Sequence, residues 1–366
     1  MYINDISAVS EVMMDYTLDF YIRQLWTDER LTYNSTTVSQ LILGAEFAKK
    51  IWIPDTFFIN GKQVSLHIST TTDSNVLLRI QPNGHILYSL RLTVVLSCPM
   101  DLRNFPMDRQ LCQIKVASYG YSTSDIDYHW AQGFDTFGIR DGLYLPTFVI
   151  QGYRRFKTFK LLSTGNYTRL ICELRFARSI GYYLNQIYIP AFLIVVISWM
   201  PFWLDREDTH ARVGLGVTTV LTMTTLITST NEALPKISYI KAIDIYLFTC
   251  FLMVFGSLIE YATVGYFESS VKGLDKYLNN VINTSKATGD EKSATNPETE
   301  ANGVVVKPMR TGMFFEVVSR KSASTTDKYS RCVFPVVFVV FNVMYWVIYL
   351  NLSRETITDL VLAKDY

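Results

Sequence analysis

Hydrophobic and polar positions are arranged differently in the two halves of this chain. In the first half they alternate, most clearly in the stretch 15–26. Its apolar face consists of Tyr16, Leu18, Phe20 and Ile22. Alternation with a period of two is typical of half-buried β-strands, and turn signals such as Gln81-Pro82-Asn83-Gly84 separate the strands. Residues 1–179 are therefore predicted to form an immunoglobulin-like β-sandwich.

The second half contains four long segments with few or no charged residues. Each is close to the roughly 20 residues that a helix needs to cross a bilayer. They are residues 180–204, 210–231 and 243–266, within 180–267, and residues 331–353. We predict a β + α membrane protein with a four-helix transmembrane bundle. The polar stretch 268–330 is expected to be a flexible cytoplasmic loop, and 354–366 an extracellular tail.

The second of these segments, Thr209–Pro235, has an unusual composition. It is uncharged from Val213 to Ser229, yet seven threonines precede Ser229, and a helix facing lipid does not need them. On a helix of 3.6 residues per turn, one stripe is small and hydroxylated and ends on an acid. Its members are Gly214, Thr218, Leu221, Thr225, Ser229 and Glu232. This pattern favours a water-filled path. The alternative is a buried helix whose threonines donate to their own carbonyls.

Charge and composition exclude several function classes. The net charge of +1 gives no electrostatic reason to expect a nucleic-acid partner. The four histidines and five cysteines show no metal-ligand spacing, so we expect neither a metal nor a cofactor. No nucleophile–base constellation is present, and we predict that the chain is not an enzyme.

Cys98 and Cys112 enclose a short polar loop. A disulfide between them would stabilise the domain by roughly 3 kcal/mol and would indicate an oxidising compartment. An extracellular first domain needs a secretory leader, and the first residues do not have the pattern of one. We interpret the sequence as lacking its natural N-terminus.

Six motifs occur in a fixed order along the chain. They are WIPDTFF, ASYGY, GNYTRL, VTTVLTMTT, LPKISYIKAIDIY and DKYSRCVFP. With Phe105-Pro106-Met107-Asp108 inside the Cys98–Cys112 loop, the chain resembles the Cys-loop pentameric ligand-gated ion channels. Within the anion-selective branch it is most similar to the invertebrate GABA-gated chloride channels of the dieldrin-resistance (RDL) type.

The resemblance implies five identical or homologous subunits around a pore, with a small amino-acid transmitter bound between neighbouring sandwiches. By motif, the principal face carries Phe57, Ser118, Tyr119 and Tyr167, and the complementary face carries Tyr21, Arg23 and Ser89. The aromatic rings suit an ammonium group, and the planar guanidinium of Arg23 suits a carboxylate.

One position leaves the transmitter open. GABA-gated members usually have a Glu that pairs with the ammonium where this chain has Ala117. Glutamate-gated chloride channels resemble the chain at Ala117 and at Arg23. GABA, glutamate and another small amine therefore stay as alternatives, and so does a non-conducting assembly subunit.

The resemblance also implies roles along the pore. A ring of Leu221 is the expected hydrophobic gate, and Arg212 would supply positive charge at the inner mouth. Cation channels of the family have a Glu where this chain has Ala211, so chloride is predicted over the alternative, cations. His210 replaces a usual Pro. We hypothesise that acidic internal pH charges it and raises chloride conductance.

Coupling between ligand site and pore is expected through residues that meet at the membrane surface. They are Phe105, Pro106, Asp108, Arg178 and Lys236. The expected location is the plasma membrane, at a postsynaptic site, with both termini outside. The sequon at Asn34 is the predicted glycosylation site, and Asn166 is a weaker one because it lies in the expected ligand loop.

Overall fold

The computed structural model describes most of the chain, in two compact units. The described residues are 1–34, 39–67, 75–131, 137–204, 209–290, 309–353 and 361–362. The first unit comprises residues 1–182, 233–242 and 349–366, and the second comprises 183–232 and 243–348. Each unit is described by itself below.

The first unit is built from β-strands, as the alternating pattern predicts. The strands are β1 (Tyr2–Ser10), β2 (Asp15–Thr27), β3 (Leu41–Leu43), β4 (Thr56–Phe58), β5 (Gly61–Leu66), β6 (Val76–Ile80), β7 (His85–Ser97), β8 (Arg109–Ser118), β9 (Gly138–Ile139), β10 (Phe148–Leu162), β11 (Gly165–Arg178) and β12 (Val361–Leu362). One sheet has the order β3-β6-β7-β2-β1-β9, with β5 also paired to β7, and the other has the order β12-β10-β11-β8-β4. The predicted β-sandwich is confirmed. A 3₁₀ turn (Glu29–Leu31) and a helical turn, α1 (Ala45–Ala48), connect strands.

The core lies between the two sheets. The apolar face predicted for β2 is buried, and Tyr16, Leu18 and Phe20 are fully inaccessible. The Tyr16 hydroxyl donates to the carbonyl of Gln113 in β8 at 2.9 Å, which joins the sheets through a satisfied buried polar group. Burial raises the pKa of Tyr16. The core residues of β2 therefore fix the position of this strand, which also carries Tyr21 and Arg23.

Two sequence-derived features of the sandwich are confirmed. Cys98 and Cys112 form a disulfide with a Cα–Cα distance of 5.2 Å. β6 and β7 are joined by the predicted turn, in which the Gly84 amide donates to Gln81 at 2.9 Å. Gly84 has a φ of +78°, and a Cβ there would lie 2.5 Å from the carbonyl oxygen of Asp28. Only glycine fits this turn.

The second unit contains the apolar segments as helices. They are α2 (Gly181–Tyr183), a π-helical turn (Leu184–Tyr188), α3 (Ile189–Ile197), a 3₁₀ turn (Met200–Trp203), α4 (Thr209–Glu232), α5 (Ala242–Asp290) and α6 (Met309–Leu352). Four spans are long and apolar enough to cross a membrane: Gly181–Trp203, His210–Glu232, Ala242–Tyr266 and Lys328–Leu352.

The first span is not one regular helix. A π-helical turn precedes Pro190, which lies in the first turn of α3. Proline has no amide hydrogen, so the carbonyl one turn earlier loses its partner, and a wider turn relieves the clash with the ring. The apolar length of this span can be read from the sequence, but the form of the distortion at Pro190 cannot.

Helix occupies much of the stretch that was expected to be a flexible loop. α5 continues to Asp290 and α6 begins at Met309, whereas residues 291–308 lie outside the described part of the chain. Polar composition alone predicts a flexible loop here. However, Lys, Glu, Ala and Asn can continue a helix that an apolar segment has already nucleated.

Aromatic side chains pack the interior of the second unit. Tyr188 lies 4.7 Å from Tyr246 between ring centroids, and its hydroxyl is 2.7 Å from that of Tyr345. The Phe202 ring lies 5.1 Å from Tyr261. These contacts join the first, third and fourth spans, so α4 packs on them with one face and leaves its other face exposed.

Candidate functional site

Half-buried Phe57 and exposed Tyr119 form an aromatic pair on the predicted principal face. Phe57 pairs across the sheet with Ala117, and its ring meets Tyr119 edge to face at 5.6 Å. The side chain of Tyr119 is 79 % exposed in the single chain. Ala117 is buried beneath them and presents no charge. The structure thus brings two of the predicted residues together at the end of β8.

Asp55 organises this face and was not found from the sequence. Its carboxylate accepts a short hydrogen bond from the Ser118 hydroxyl and another from the Gly120 amide at 2.6 Å. The Tyr121 amide in turn donates to the Ser118 hydroxyl at 3.0 Å. Ser118 is 5 % exposed, so its side chain supports the loop rather than opening to solvent. The sequence signal was the Asp of PDTFF, which only the fold places beside ASYGY.

Tyr167 lies near the tip of the hairpin that β10 and β11 form. The hairpin turns at Ser163 and Thr164, and Gly165 has a φ of +138°. The Tyr167 hydroxyl is 2.9 Å from that of Thr164, and the residue is 9 % exposed. The ring therefore lies against its own hairpin. The position of Tyr167 thus depends on the contacts that hold this hairpin.

The predicted complementary residues lie on two paired strands of the other sheet. Arg23 of β2 is the direct partner of Ser89 on β7, and Tyr21 is the partner of Arg91. Arg91 forms an ion pair with Asp19 at 2.6 Å, and its guanidinium lies 6.0 Å from the Tyr21 ring. Arg23 is exposed, whereas Ser89 is 8 % exposed.

Asp19 and Arg91 were missed by sequence reasoning. Each lies two positions from a predicted residue on the same strand, so strand periodicity puts them on the same face. The principal and complementary sets themselves lie in different sheets of the sandwich.

A cavity of about 550 Å³ opens at the end of β2. Its wall includes Arg23, Trp26, Trp52 and the segment 125–131, but none of the predicted aromatic residues of the principal face. It is therefore distinct from the face formed by Phe57 and Tyr119.

The hydroxylated stripe of α4 is exposed along its whole length. Its members are Gly214, Thr218, Leu221, Thr225, Ser229 and Glu232, and all of them are exposed in the single chain. Leu221 is 63 % exposed although polar residues surround it. His210 and Ala211 are also exposed, at the start of the helix. The opposite face, which includes Gly216, Thr219 and Met223, is buried.

The threonines of the stripe both line the exposed face and bond back to the helix. The Thr218 hydroxyl donates to Gly214 at 2.7 Å, and Thr225 donates to Thr222 at 2.8 Å. The two sequence interpretations were therefore not exclusive. Because each hydroxyl hydrogen is donated to a carbonyl, these side chains present methyl groups and oxygen lone pairs to solvent.

Arg212 differs from the other residues predicted for the pore. Its side chain is 4 % exposed and donates a short hydrogen bond to the carbonyl of Leu204. Two residues along a helix correspond to a rotation of about 200°, so Arg212 lies nearly opposite Gly214. The Arg212 side chain therefore does not line the exposed stripe, and its charge acts on the stripe only through space.

The predicted coupling residues Phe105, Asp108 and Arg178 form a buried cluster. The Arg178 Nε donates to Asp108 at 2.7 Å, and the guanidinium lies 4.6 Å from the Phe105 ring and 4.4 Å from the Phe148 ring. A further short ion pair joins it to Glu11. Burial lowers the pKa of Arg178, but the bonds and charges of Asp108 and Glu11 outweigh this and raise it.

The segment after α4 contacts the disulfide loop. The Leu102 amide donates to the Tyr239 hydroxyl at 3.0 Å, and the Ala242 amide donates to the carbonyl of Arg103 at 2.8 Å. Lys236, predicted here, is exposed, and Pro106 follows a cis peptide bond in the same loop. Asn34 is exposed on the sandwich.

These elements define a class of protein. Residues 1–185 match the family model of the neurotransmitter-gated ion-channel ligand-binding domain, and residues 187–273 match that of the neurotransmitter-gated ion-channel transmembrane region. The chain belongs to the neurotransmitter-gated ion channels, a class of multi-pass membrane receptors that are not enzymes.

Individual members of this family are similar to the chain over most of its length. The chain is 37 % identical over 378 residues to the gamma-aminobutyric acid receptor subunit rho-1 of Homo sapiens. The alignment covers 95 % of this chain and 78 % of that relative. The rho-1 subunits of Mus musculus and Rattus norvegicus are similar to the same extent.

Proposed function

We propose that this chain is a subunit of a pentameric chloride channel in the plasma membrane, opened by GABA or a similar small amino-acid transmitter. The observation that carries the proposal is the exposed stripe of α4, which holds Leu221 among hydroxylated residues and borders no acidic residue between His210 and Ser229. Five copies would turn each stripe position into a ring. Both termini would lie outside, and a postsynaptic location and a glycan at Asn34 belong to the same proposal.

The transmitter would bind between two sandwiches. The principal and complementary residues lie in different sheets, which fits a ligand held between two neighbouring copies. The rings of Phe57, Tyr119 and Tyr167 would hold the ammonium group, each contact contributing about 0.5–2 kcal/mol. Arg23 would hold the carboxylate. The similarity to gamma-aminobutyric acid receptor subunits supports GABA.

Ala117 favours a second candidate, glutamate. The buried methyl group supplies no carboxylate for the ammonium group. Arg23 is the exposed cation of the complementary face that would meet the carboxylates of glutamate, because the Arg91 guanidinium is already paired with Asp19.

Anion preference would come from the inner end of α4. The N-terminus of a helix carries a partial positive charge, and α4 begins at Thr209. Arg212 adds a buried full charge within the first turn. Coupling from ligand to pore would run through Phe105, Asp108 and Arg178 and through Lys236.

A transmitter screen with ion substitution tests the proposal directly. The full-length chain is expressed in oocytes and exposed to GABA, glutamate and small amines. We expect a current whose reversal potential follows the chloride gradient. A reversal potential that follows sodium or potassium would contradict chloride selectivity, and no current with any transmitter would support an assembly subunit.

Substituting Ala211 by Glu is expected to weaken or invert the anion preference. The side chain is exposed beside the inner end of the stripe, so five carboxylates would offset five Arg212 charges. We expect the permeability ratio of chloride to sodium to fall by about tenfold or more, since roughly 1.4 kcal/mol is a factor of ten. Reversal potentials in graded salt measure it. Ala211→Gln is the uncharged control, and an equal shift with Gln would contradict an electrostatic cause.

Acidic internal pH is expected to raise chloride conductance through His210. The side chain is exposed in the first turn of α4, and histidine is the side-chain type that gains charge in mildly acidic solution. Inside-out patches stepped from pH 7.5 to 5.5 measure single-channel conductance. We expect His210→Gln to abolish the increase, and a wild-type conductance that does not change with pH would refute the role.

A further inference from the structure

The segment that follows Tyr119 lies against the hairpin that carries Tyr167, and Asp127 is at the centre of this contact. The Thr168 hydroxyl of β11 donates to Asp127 Oδ1 at 2.6 Å. The Lys157 ammonium group of β10 lies 2.7 Å from the same oxygen and 2.8 Å from Oδ2. One carboxylate therefore holds both strands of the hairpin.

Two further hydrogen bonds join the segment after Tyr119 to the hairpin. The Thr123 amide donates to the carbonyl of Asn166 at 2.8 Å, near the hairpin tip. The Trp130 indole donates to the carbonyl of Phe156 at 3.1 Å, in the middle of β10. These two are neutral hydrogen bonds, whereas the bond from Lys157 to Asp127 is charge-assisted and so stronger.

Asp127 stays ionised in this setting. Partial burial raises its pKa, but the hydrogen bonds from Lys157 and Thr168, with the charges of Lys157 and His129, lower it overall. The Thr168 hydroxyl is buried at this contact, whereas the Asp127 side chain is 39 % exposed. An Asn at position 127 would keep an oxygen that can accept from Thr168 but would lose the charge that pairs with Lys157.

We propose that Asp127, Lys157 and Thr168 form a latch that positions the ligand-binding hairpin. Asp127 is then a positioning residue: it sets the place of Tyr167 relative to Tyr119, since Tyr167 precedes Thr168 on β11 and Tyr119 begins the segment that contains Asp127. The identity of the ligand at this hairpin rests on the proposed function. The three contacts that form the latch do not depend on it.

His129 lies beside the same contact. Its Nε2 lies 2.8 Å from Asp127 and 3.3 Å from the Lys157 ammonium group. Two more charged residues lie close by: Asp125, which accepts from Ser124, and Arg155, which lies over Trp130.

Hydrogen exchange on the full chain in lipid nanodiscs, without transmitter, tests the latch. We expect Asp127→Asn and Lys157→Met to lower the protection of Thr123 and of residues 165–168 by roughly three- to tenfold. Asp127→Glu should restore most of it. Lys49→Met, which breaks an exposed Lys–Glu pair elsewhere in the sandwich at 3.0 Å, is the matched control.

Two exchange results would overturn the latch: unchanged protection in Asp127→Asn, or an equal loss in Lys49→Met.

The functional arm measures the transmitter concentration for half-maximal current. Asp127→Asn and Lys157→Met should each raise it by roughly three- to tenfold, and the double variant should resemble either single one, because both remove the same bond. If the effects of the two single substitutions on this concentration simply add in the double variant, the bond between Asp127 and Lys157 is not their common cause. If no transmitter opens the channel, the exchange data still decide the latch, and only the proposed function fails.

Discussion

Replacing Leu221 by Thr is expected to produce channels that open at far lower transmitter concentration and conduct at rest. Leu221 is a bulky apolar residue in an otherwise hydroxylated exposed stripe, and it is 63 % exposed in the single chain. In a ring of five, such side chains exclude water and close the path by dewetting. Thr matches its neighbours and removes that barrier.

The size of the shift toward the open channel can be estimated from the leucine contacts that the substitution removes in the closed state. Losing a leucine side chain from an apolar contact costs about 1.5–3 kcal/mol per copy. If only a part of this is felt in the closed state, the equilibrium shifts toward open by roughly 1.4–2.8 kcal/mol, a factor of about 10–100. Concentration–response curves and resting currents measure it.

Leu215→Thr is the matched control for the gate. It is the same substitution one residue after Gly214, about 100° around the helix from the stripe, and Leu215 is 37 % exposed. We expect a much smaller change. An equal gain of resting current in Leu215→Thr would show that general polarity of α4 matters and not the ring.

Replacing Arg178 by Met is expected to destabilise the sandwich severely. The guanidinium is fully buried between the Phe105 and Phe148 rings and pairs with Asp108, which is itself 2 % exposed. Removing one partner of a buried ion pair leaves an uncompensated charge and costs about 3–5 kcal/mol. For a domain of this size, the melting temperature should fall by roughly 6–20 °C. Thermal unfolding of the purified full chain, followed by fluorescence, measures it.

A second variant separates the charge from the packing. Arg178→Met leaves two carboxylates, Asp108 and Glu11, without their cation. Adding Asp108→Asn removes the more buried of the two, so part of the lost stability should return. Arg30→Met, which removes an arginine whose side chain is 76 % exposed from its pair with Asp28, should change the melting temperature little. Failure of the double variant to recover any stability would indicate that aromatic packing, rather than the ion pair, holds this cluster.

The sequence determined the repeating and local features of this protein. Alternation placed Tyr16, Leu18 and Phe20 on one buried face, and the turn at Gln81–Gly84 followed from its residue types. The helical projection of α4 found the exposed stripe with Leu221. These features depend on neighbours within a few residues, so periodicity is sufficient to read them.

Which distant residues meet depends on the packing of the whole fold. Asp55 supports Ser118, Glu11 and Asp108 hold Arg178, and Asp127 joins two strands of a hairpin. Each contact joins positions far apart in the chain, and a lone Asp or Glu in a sequence carries no sign of its partner. Likewise, the burial of Arg212 depends on the helices packed behind α4, because the pattern of one helix shows two faces without showing which neighbour covers each.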